Sequence, residues 1–311
     1  MTRNMDIAIL GAGAMGSLFG GLLAEADHRV TLVDVDQAHL DSIRREGLHV
    51  TTDAGARAVT NLSVTRTEDV VDAPELLIVF TKTFHTQKAL AAAPMLIGRN
   101  TFVLSLQNGL GNVERIAQYV PLECVMVGMT TWPADKSVPG QVASHGTGAI
   151  RLMSADGGAQ DVVARTVEAL NSADLNCTAD PNIWSAIWEK VAFNAALNGL
   201  CAITRCAVGE LANVDGQALA GRIVEEVTDV AQASGVAVDP GHIIETVEHA
   251  LAHHREHRPS MLQDVLAGRK TEIEAINGEV VVRARELGID VPCTQAVLHL
   301  VRLIENRSVV A

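Results

Sequence analysis

The sequence of 311 residues is poor in aromatic side chains, in cations and in long apolar runs, and each shortage excludes a class of protein. Aromatic residues make up only 3% of the chain, too few for a surface that stacks bases or sugars. The 24 Lys and Arg residues against 37 Asp and Glu residues leave a net charge of −13, which excludes a nucleic-acid binder or a protein docking on an anionic membrane. No apolar run reaches the ~18 residues of a membrane span.

Cysteine pairs and a secretory signal are also missing. The five cysteines are scattered without a C-x-x-C pair, which indicates reduced thiols rather than a disulfide framework or a structural metal site. The first apolar run begins at Ile7 and breaks at once into glycines, unlike the core of a signal peptide. We therefore expect a cytoplasmic protein.

A histidine cluster is the one pattern that raises the question of a metal. Paired histidines four residues apart can bind zinc, but no Glu follows the first one as in H-E-x-x-H, and two arginines among them would repel a cation. The histidines are 249, 253, 254 and 257, and the arginines are 255 and 258. We predict no metal site, and a solvated helix face or a contact of His257 with substrate.

The first half of the chain alternates short apolar runs with helical patterns. Continuous β-branched runs separated by helices predict a parallel sheet covered on both faces. The strands are expected at 6–10, 29–33, 76–80, 101–106 and 125–131, with antiparallel edge strands in 140–152.

After residue 180 the pattern becomes helical throughout, with apolar residues at helical spacing and Gly199 expected to end the first helix. The fold class is therefore α/β: a Rossmann-type parallel sheet over 1–180, followed by an all-helical domain over 181–311. The helices are expected at 183–198, 216–234, 241–254, 274–287 and 294–305.

A glycine motif follows the first predicted strand and opens a helix. Gly11 permits the tight turn, Gly13 lets the backbone approach a pyrophosphate, and Gly16 lets the helix pack closely on the strand. The helix N-terminus adds free N–H groups for the phosphates. The predicted dinucleotide-binding residues are Gly11, Ala12, Gly13, Ala14, Met15 and Gly16.

Asp34, at the end of the second strand, bears on the choice of dinucleotide. An acid at this position accepts hydrogen bonds from the adenine-ribose hydroxyls and repels a 2′-phosphate, which favours NAD(H). Alternatively Asp34 caps the next helix, although Asp36 is better placed for that role.

Three polar residues form a stripe on one predicted helix. Lys190, Asn194 and Asn198 are spaced by four residues among apolar neighbours, so they lie along one face. One interpretation is a polar helix face with Asn198 near the C-cap before Gly199. The other is a polar stripe facing a cleft between domains.

Three further residues are candidates for the site, although each also has a purely structural explanation. Ser260 could cap a short helix beginning at Met261, and Glu272 could mark a helix start. Asn108 follows a parallel strand at the edge where ligands bind in open α/β sheets.

Together these motifs resemble the ketopantoate reductase (2-dehydropantoate 2-reductase) family over nearly the whole chain. The resemblance implies an active site in a cleft between a Rossmann domain and a helical domain. It implies NADPH-dependent reduction of a small 2-keto acid, ketopantoate to pantoate on the route to coenzyme A. Apart from the resemblance, the net charge excludes nucleic acid as a partner, and a homodimer through the helical domain is an open expectation.

The resemblance also assigns roles. Lys190 would be the general acid that protonates the carbonyl oxygen, and Glu272 would keep its amine protonated. Asn108 would lie beside the nicotinamide ribose and the reacting carbonyl. Asn194, Asn198 and Ser260 would contact the substrate, and His257 would lie near the distal hydroxyl of the substrate. Lys82 would contact the cofactor.

Three departures from the family pattern point to a variant substrate or cofactor. Asp34 stands where the family usually has a cation for the 2′-phosphate, His257 where it often has Asn, and Trp132 where it often has a small or polar residue. An NAD-dependent D-2-hydroxyacid dehydrogenase of the D-mandelate type is therefore the alternative. A non-catalytic dinucleotide sensor would be expected to lack Lys190 or Glu272, and both are present.

Overall fold

The computed structural model describes residues 4–136, 138–158 and 160–308, which form two compact units. The first unit contains the residues up to Gln107 together with Asn112–Ile183. The second contains Asn108–Gly111 together with the residues from Trp184 onward. No sequence pattern indicated that Asn108–Gly111 would belong with the helical unit.

The first unit is built on two sheets. In chain order the strands are β1 (Asp6–Leu10), β2 (Arg29–Asp34), β3 (Leu48–Thr52), β4 (Gly55–Val59), β5 (Ser63–Arg66), β6 (Leu76–Val79), β7 (Phe102–Ser105), β8 (Val125–Thr130), β9 (Gln141–Ala143), β10 (Ile150–Ser154) and β11 (Cys177–Ala179). The larger sheet has the order β11-β10-β8-β7-β6-β1-β2-β5, and the smaller has the order β4-β3-β9.

The strand order determines where the functional loops lie. β1 pairs in parallel with β2 on one side and with β6 on the other, so the connections leave β1 in opposite directions. The loops after β1 and β6 therefore reach the same carboxyl edge, which is where ligands bind in open α/β sheets. The apolar side chains of β1 and β6 are buried, as expected for parallel strands covered on both faces.

Five helices complete the first unit: α1 (Ala14–Glu25), α2 (Gln37–Glu46), α3 (Thr86–Ala92), α4 (Asn112–Ile116) and α5 (Gln160–Ser172). α1 packs on β2 and on the smaller sheet, and α5 packs on β10 and β11. Short 3-10 turns lie at Thr67–Asp69, Thr83–His85, Pro94–Leu96 and Leu122–Cys124.

The second unit is helical in its described residues. Its helices are α6 (Ile183–Thr204), α7 (Val214–Ala233), α8 (Pro240–His253), α9 (Ser260–Leu266), α10 (Glu279–Leu287) and α11 (Pro292–Ser308), with a 3-10 turn at Val208–Leu211 and a π-helix at Glu274–Gly278. Glu226 on α7 is buried, and its carboxylate accepts the backbone N–H groups of Cys293 and Thr294 at 2.9 and 2.8 Å. This contact fixes the start of α11.

The mixed α/β fold predicted from the sequence is confirmed, but the predicted end of α6 was wrong. Gly199 does not end α6, which continues to Thr204. A Cβ at residue 199 would lie 2.3 Å from Cγ1 of Val297 on α11, so the glycine serves close packing of two helices. A glycine of this kind looks like a helix stop in sequence, because its tertiary neighbour is not visible there.

The edge of the larger sheet matches its prediction in part. β10 runs antiparallel to β8, as expected for the region 140–152, whereas β9 joins the smaller sheet instead. The short strands β3, β4 and β5 were not predicted, because they are only partly buried and lack a continuous apolar run. All five cysteines are free thiols. No helix within the described ranges is long and apolar enough to cross a membrane.

Candidate functional site

The glycine loop after β1 has the geometry of an anion cradle. Gly11 has φ +102°, a conformation that favours glycine, and a Cβ on Gly16 would lie 1.9 Å from the Gly11 carbonyl oxygen. A Cβ on Gly13 would meet no described atom within 4 Å. No side chain from the described residues caps α1 at Gly13, so the helix N-terminus relies on other acceptors. These features fit the pyrophosphate of a dinucleotide.

Asp34 holds this loop in place. Its Oδ2 accepts the Ala12 N–H at 2.6 Å, and its Oδ1 accepts the N–H groups of Val35 and Asp36 at 2.7 and 2.9 Å. The helix cap is Asp36, whose Oδ1 accepts the His39 N–H at 3.1 Å, so the prediction that Asp36 is the better cap is confirmed. The Asp34 carboxylate retains a lone pair for a further donor, since three of about four sites are used.

The loop after β6 is fixed by a glutamine that the sequence analysis did not select. The Gln107 side-chain amide donates to the Thr81 carbonyl oxygen at 2.6 Å and to Thr86 Oγ1 at 2.7 Å. Its own Oε1 accepts the Ser105 hydroxyl at 3.0 Å. Lys82, the residue after Thr81, is thereby held at the carboxyl edge of the sheet, in the loop that neighbours the glycine loop.

In the second unit, α6 carries all three residues of the polar stripe. Lys190 and Asn194 are partly buried, and Asn198 is 5% exposed. Asn198 lies six residues before the end of the helix, so it is not near a C-cap. The interpretation that placed Asn198 near a helix C-cap is therefore wrong. The stripe consists of one buried and two partly buried polar side chains on one face of α6.

The environment of the Lys190 amine lowers its affinity for a proton. Burial lowers the pKa of Lys190 from 10.5 to about 8, and the nearby Glu272 carboxylate opposes this by raising it. At pH 7 the amine is therefore still mostly protonated. An ammonium with a pKa close to neutral can donate its proton efficiently and still be charged at rest.

The position of Glu272 is determined by its two neighbours. Glu272 is 8% exposed, and Thr271 before it donates its backbone N–H and its hydroxyl to Glu305 Oε1, both at 2.7 Å. Glu274 after it accepts two hydrogen bonds from Arg302, both at 2.6 Å. Glu305 and Arg302 both belong to α11, so the segment that carries Glu272 is attached to one helix on either side.

A π-helix follows Glu272, and the segment that begins at Asn108 packs against it. The backbone N–H of Leu110 donates to the Ala275 carbonyl oxygen at 2.8 Å. A Cβ on Gly109, which has φ +83°, would lie 2.3 Å from the same oxygen. The close approach places Asn108, the preceding residue, beside the turn that carries Glu272. π-Helices occur frequently at functional sites, and the sequence pattern of 274–287 predicted only a regular helix.

The remaining predicted substrate residues lie around α9. Ser260 is the first residue of α9 and is exposed, and its side chain does not cap the helix, whose N-cap is Pro259. The expectation that Ser260 caps a helix beginning at Met261 was wrong, because the helix begins one residue earlier. His257 is also exposed, and its carbonyl oxygen accepts the Val208 N–H at 3.0 Å.

Trp132 and the histidines of α8 make contacts within the first and the second unit respectively. The Trp132 indole N–H donates to the Leu175 carbonyl oxygen at 2.8 Å, and Gly148 makes room for its ring. The rings of His249 and His253 stack at 4.3 Å on the surface of α8. Over residues 4–136, 138–158 and 160–308, no three His, Cys, Asp or Glu side chains are grouped as a metal site would require.

Comparisons with known proteins cover both units. Residues 7–157 match the family described as ketopantoate reductase PanE/ApbA, and residues 182–305 match its C-terminal domain. The chain is 35% identical over 303 residues to a 2-dehydropantoate 2-reductase from Streptococcus pyogenes, with 97% of this chain and 98% of the relative covered. It is 34% identical over 306 residues to the enzyme of that name from Halobacterium salinarum, with 97% and 99% covered.

Among solved structures, the chain is similar to D-mandelate dehydrogenase in a ternary complex with NADH and anilino(oxo)acetate. The TM-score is 0.94 at 31% sequence identity, and the match covers 98% of this chain and 99% of that one.

The two loop glycines should respond differently to alanine. We expect Gly16→Ala to lower the unfolding free energy by about 2 kcal/mol, since its Cβ would overlap the Gly11 carbonyl. Gly13→Ala should leave thermal stability unchanged but weaken NADH binding about tenfold, because its Cβ would fill the space a pyrophosphate needs. Thermal unfolding and NADH titration measure both effects. If Gly13→Ala binds NADH as tightly as the wild type, the glycine loop is not the pyrophosphate site.

The depressed pKa of Lys190 should appear in the pH dependence of stability. Between pH 8 and pH 10.5 the folded chain has lost the Lys190 proton that the unfolded chain retains, so stability rises with pH over this window. Relative to Lys190→Met, the wild type should gain up to about 3 kcal/mol between pH 8 and 10.5 in urea unfolding. The exposed Lys88 is the control, and Lys88→Met should follow the wild type. Parallel curves for wild type and Lys190→Met would contradict the assignment.

Proposed function

Since the chain belongs to the ketopantoate reductase family, we propose that it is an NAD(P)H-dependent reductase of a small 2-keto acid, with 2-dehydropantoate as its substrate. The observation that supports this most directly is the partly buried Lys190 on α6, the helix that also carries Asn194 and Asn198. The Glu272 carboxylate raises the pKa of this amine against the effect of burial. The product would be pantoate, on the pantothenate branch of coenzyme A synthesis.

Lys190 is proposed as the general acid. When bound, the reduced nicotinamide supplies a hydride to the keto carbon, and negative charge develops on the carbonyl oxygen. The Lys190 ammonium stabilises this charge and transfers a proton to the oxygen. Glu272 keeps the amine protonated before the transfer, because its negative charge raises the pKa that burial lowers. Glu272 thus acts on the substrate only through Lys190.

The neighbouring polar groups are proposed to orient the substrate. Asn194 and Asn198 lie one and two turns along α6 from Lys190, on the same face, where amide groups can bond a carboxylate or a hydroxyl. Asn108, placed by the π-helix contact, supplies a further amide. Ser260 is proposed to bond the substrate carboxylate, with His257 near its distal end.

NADH is the proposed cofactor, rather than NADPH. The glycine loop and Lys82 would hold the dinucleotide through its phosphates. Asp34 carries its negative charge at the end of β2, where a 2′-phosphate would be repelled and a ribose hydroxyl could donate to the remaining lone pair. Neither Arg44 nor Arg66 offers an unengaged guanidinium instead, since they pair with Asp41 and Glu68.

A D-2-hydroxyacid dehydrogenase of the D-mandelate type is the second candidate. It is favoured by the TM-score of 0.94 to D-mandelate dehydrogenase and by Asp34. The chemistry would be the same, with Lys190 as the acid, but the substrate would carry an aryl or branched side chain in place of a hydroxyalkyl group.

A steady-state substrate panel tests the proposal. Purified enzyme should oxidise NADH with 2-dehydropantoate at a higher kcat/KM than with phenylglyoxylate or a branched 2-keto acid, and more efficiently than it oxidises NADPH. Lys190→Ala should lower kcat by about a hundredfold or more, as for loss of a general acid. Preference for phenylglyoxylate would select the second candidate, and no turnover with any 2-keto acid would refute both.

Glu272 should control the pH dependence of the reduction. The rate should fall as pH rises through about 8, where the Lys190 ammonium loses its proton. Glu272→Gln removes the charge that raises this pKa, so the descending limb of kcat/KM should move to lower pH. A pH–rate profile of each variant measures the shift.

Glu286→Gln is the matched control for this profile. It makes the same change in an exposed carboxylate on α10, outside the segment that carries Glu272. Its descending limb should stay at the wild-type pH. An unshifted limb in Glu272→Gln would show that Glu272 does not set the protonation of the acid.

A further inference from the structure

A buried histidine connects the dinucleotide loop to a distant segment of the first unit. The Gly140 N–H donates to His39 Nδ1 at 2.8 Å, so the imidazole proton must be on Nε2. Nε2 lies 3.0 Å from Ser17 Oγ and therefore donates to it, and the Ser17 hydroxyl donates in turn to the Ala12 carbonyl oxygen at 3.0 Å. We call this chain of bonds the His39 relay.

The direction of the relay is fixed because His39 stays neutral. The residue is completely buried, and burial lowers its pKa, as does the positive charge of Lys136, against smaller opposing effects of Asp36 and Asp34. An imidazolium would have a donor at Nδ1 facing the Gly140 N–H, which this environment disfavours. The tautomer with Nε2–H is therefore the one the fold maintains.

The segment at the other end of the relay is attached firmly to α2. Lys136 pairs with Asp36 at 3.1 Å, and the Ser42 hydroxyl donates to the Pro139 carbonyl oxygen at 3.4 Å. Gly140, with φ +76°, could not carry a Cβ, which would lie 2.3 Å from Ser42 Oγ. Residues 36, 39 and 42 share one face of the helix, so the acceptor for the Gly140 N–H is held in place from both sides.

The relay acts on the peptide at the centre of the glycine loop. Asp34 accepts the Ala12 N–H and Ser17 bonds the Ala12 carbonyl, so this residue is held through both of its backbone polar groups. Because a trans peptide is planar, the direction of the Ala12 carbonyl also sets that of the Gly13 N–H, which points the opposite way. Gly13 is the residue whose backbone a pyrophosphate would approach most closely.

We propose that His39 and Ser17 are positioning residues for the cofactor, which orient the Ala12–Gly13 peptide and so set the affinity for the dinucleotide pyrophosphate. The inference rests on the proposed function only in taking the glycine loop as the site of a nicotinamide dinucleotide. Neither side chain needs to touch the cofactor.

The same unit contains a second relay of identical chemistry that ends elsewhere. The Met5 N–H donates to His28 Nδ1 at 3.1 Å, His28 Nε2 lies 2.9 Å from Ser172 Oγ, and the Ser172 hydroxyl donates to the Ala169 carbonyl oxygen at 2.7 Å. His28 is buried, and burial lowers its pKa as well. This relay ends within α5 and makes no bond to the glycine loop, so it is a matched control.

The test compares Ser17→Ala with Ser172→Ala. Both variants remove a hydroxyl between a histidine and a carbonyl, and both should lower the thermal midpoint. Ser17→Ala should weaken NADH binding about tenfold in a fluorescence titration, as expected for loss of one buried hydrogen bond at the loop, while Ser172→Ala should stay within about twofold of wild type. The KM for the keto acid at saturating NADH should be unchanged in both.

Two substitutions of His39 separate the ends of the relay. Asparagine can still accept the Gly140 N–H but is too short to reach Ser17, whereas glutamine reaches Ser17 but lacks the acceptor near Cβ. His39→Asn should therefore weaken NADH binding as Ser17→Ala does, and His39→Gln should bind NADH more tightly than His39→Asn. The reverse order would assign the effect to the Gly140 segment and overturn the relay.

The outcomes distinguish this inference from the proposed function. Wild-type NADH affinity in Ser17→Ala, or an equal loss in Ser172→Ala, would overturn the positioning role while leaving the reductase assignment intact. Failure of the wild-type chain to bind either NADH or NADPH would overturn the proposed function and the inference together. Should Ser17→Ala not fold, the two His39 variants provide the same comparison, with His28→Asn and His28→Gln as their controls.

Discussion

The protonation of Lys190 depends on how the helices of the second unit hold Glu272. Burial lowers the pKa of Lys190 to about 8, and the Glu272 carboxylate opposes it, so the acid strength of the amine follows from the balance of the two. Any contact that moves Glu272 changes that balance. Glu305 and Arg302 on α11 hold the residues on either side of Glu272, and Glu226 holds the start of α11. The helices of this unit thus determine a proton affinity as well as a shape.

In the first unit the corresponding constraint is the orientation of a single peptide. Asp34 bonds the Ala12 N–H, and the same carboxylate is the group expected to exclude a 2′-phosphate. Loop geometry and cofactor choice are therefore linked through one side chain. A substitution of Asp34 made to admit NADPH would also release the Ala12 peptide, so a loss of overall affinity would accompany any change in preference. Ser17, which bonds the carbonyl of the same residue, offers a way to separate the two effects.

The sequence was sufficient where local sterics or periodicity decide the structure. The turn after β1 could be predicted because Gly11 and Gly16 each have a steric reason, and β1 and β6 could be predicted because buried parallel strands are continuously apolar. It was insufficient where a tertiary neighbour decides. Gly199 looks like a helix end because its contact with Val297 is not visible in the sequence, and the π-helix after Glu272 has the same apolar spacing as an ordinary helix. No role could be predicted for Gln107 either, since its contacts depend on strand order.

The two histidine relays also show that tertiary neighbours, rather than residue type, decide the role of a side chain. His28 and His39 each accept a backbone N–H at Nδ1 and donate from Nε2 to a serine, so in residue type, burial and bonding they are equivalent. Their serines differ: Ser17 is buried and ends at Ala12 in the glycine loop, whereas Ser172 is exposed and ends at Ala169 near the C-terminal end of α5. The chemistry of a buried histidine therefore does not reveal whether it serves stability or function. The strand order does, because it brings α2 beside the loop that follows β1.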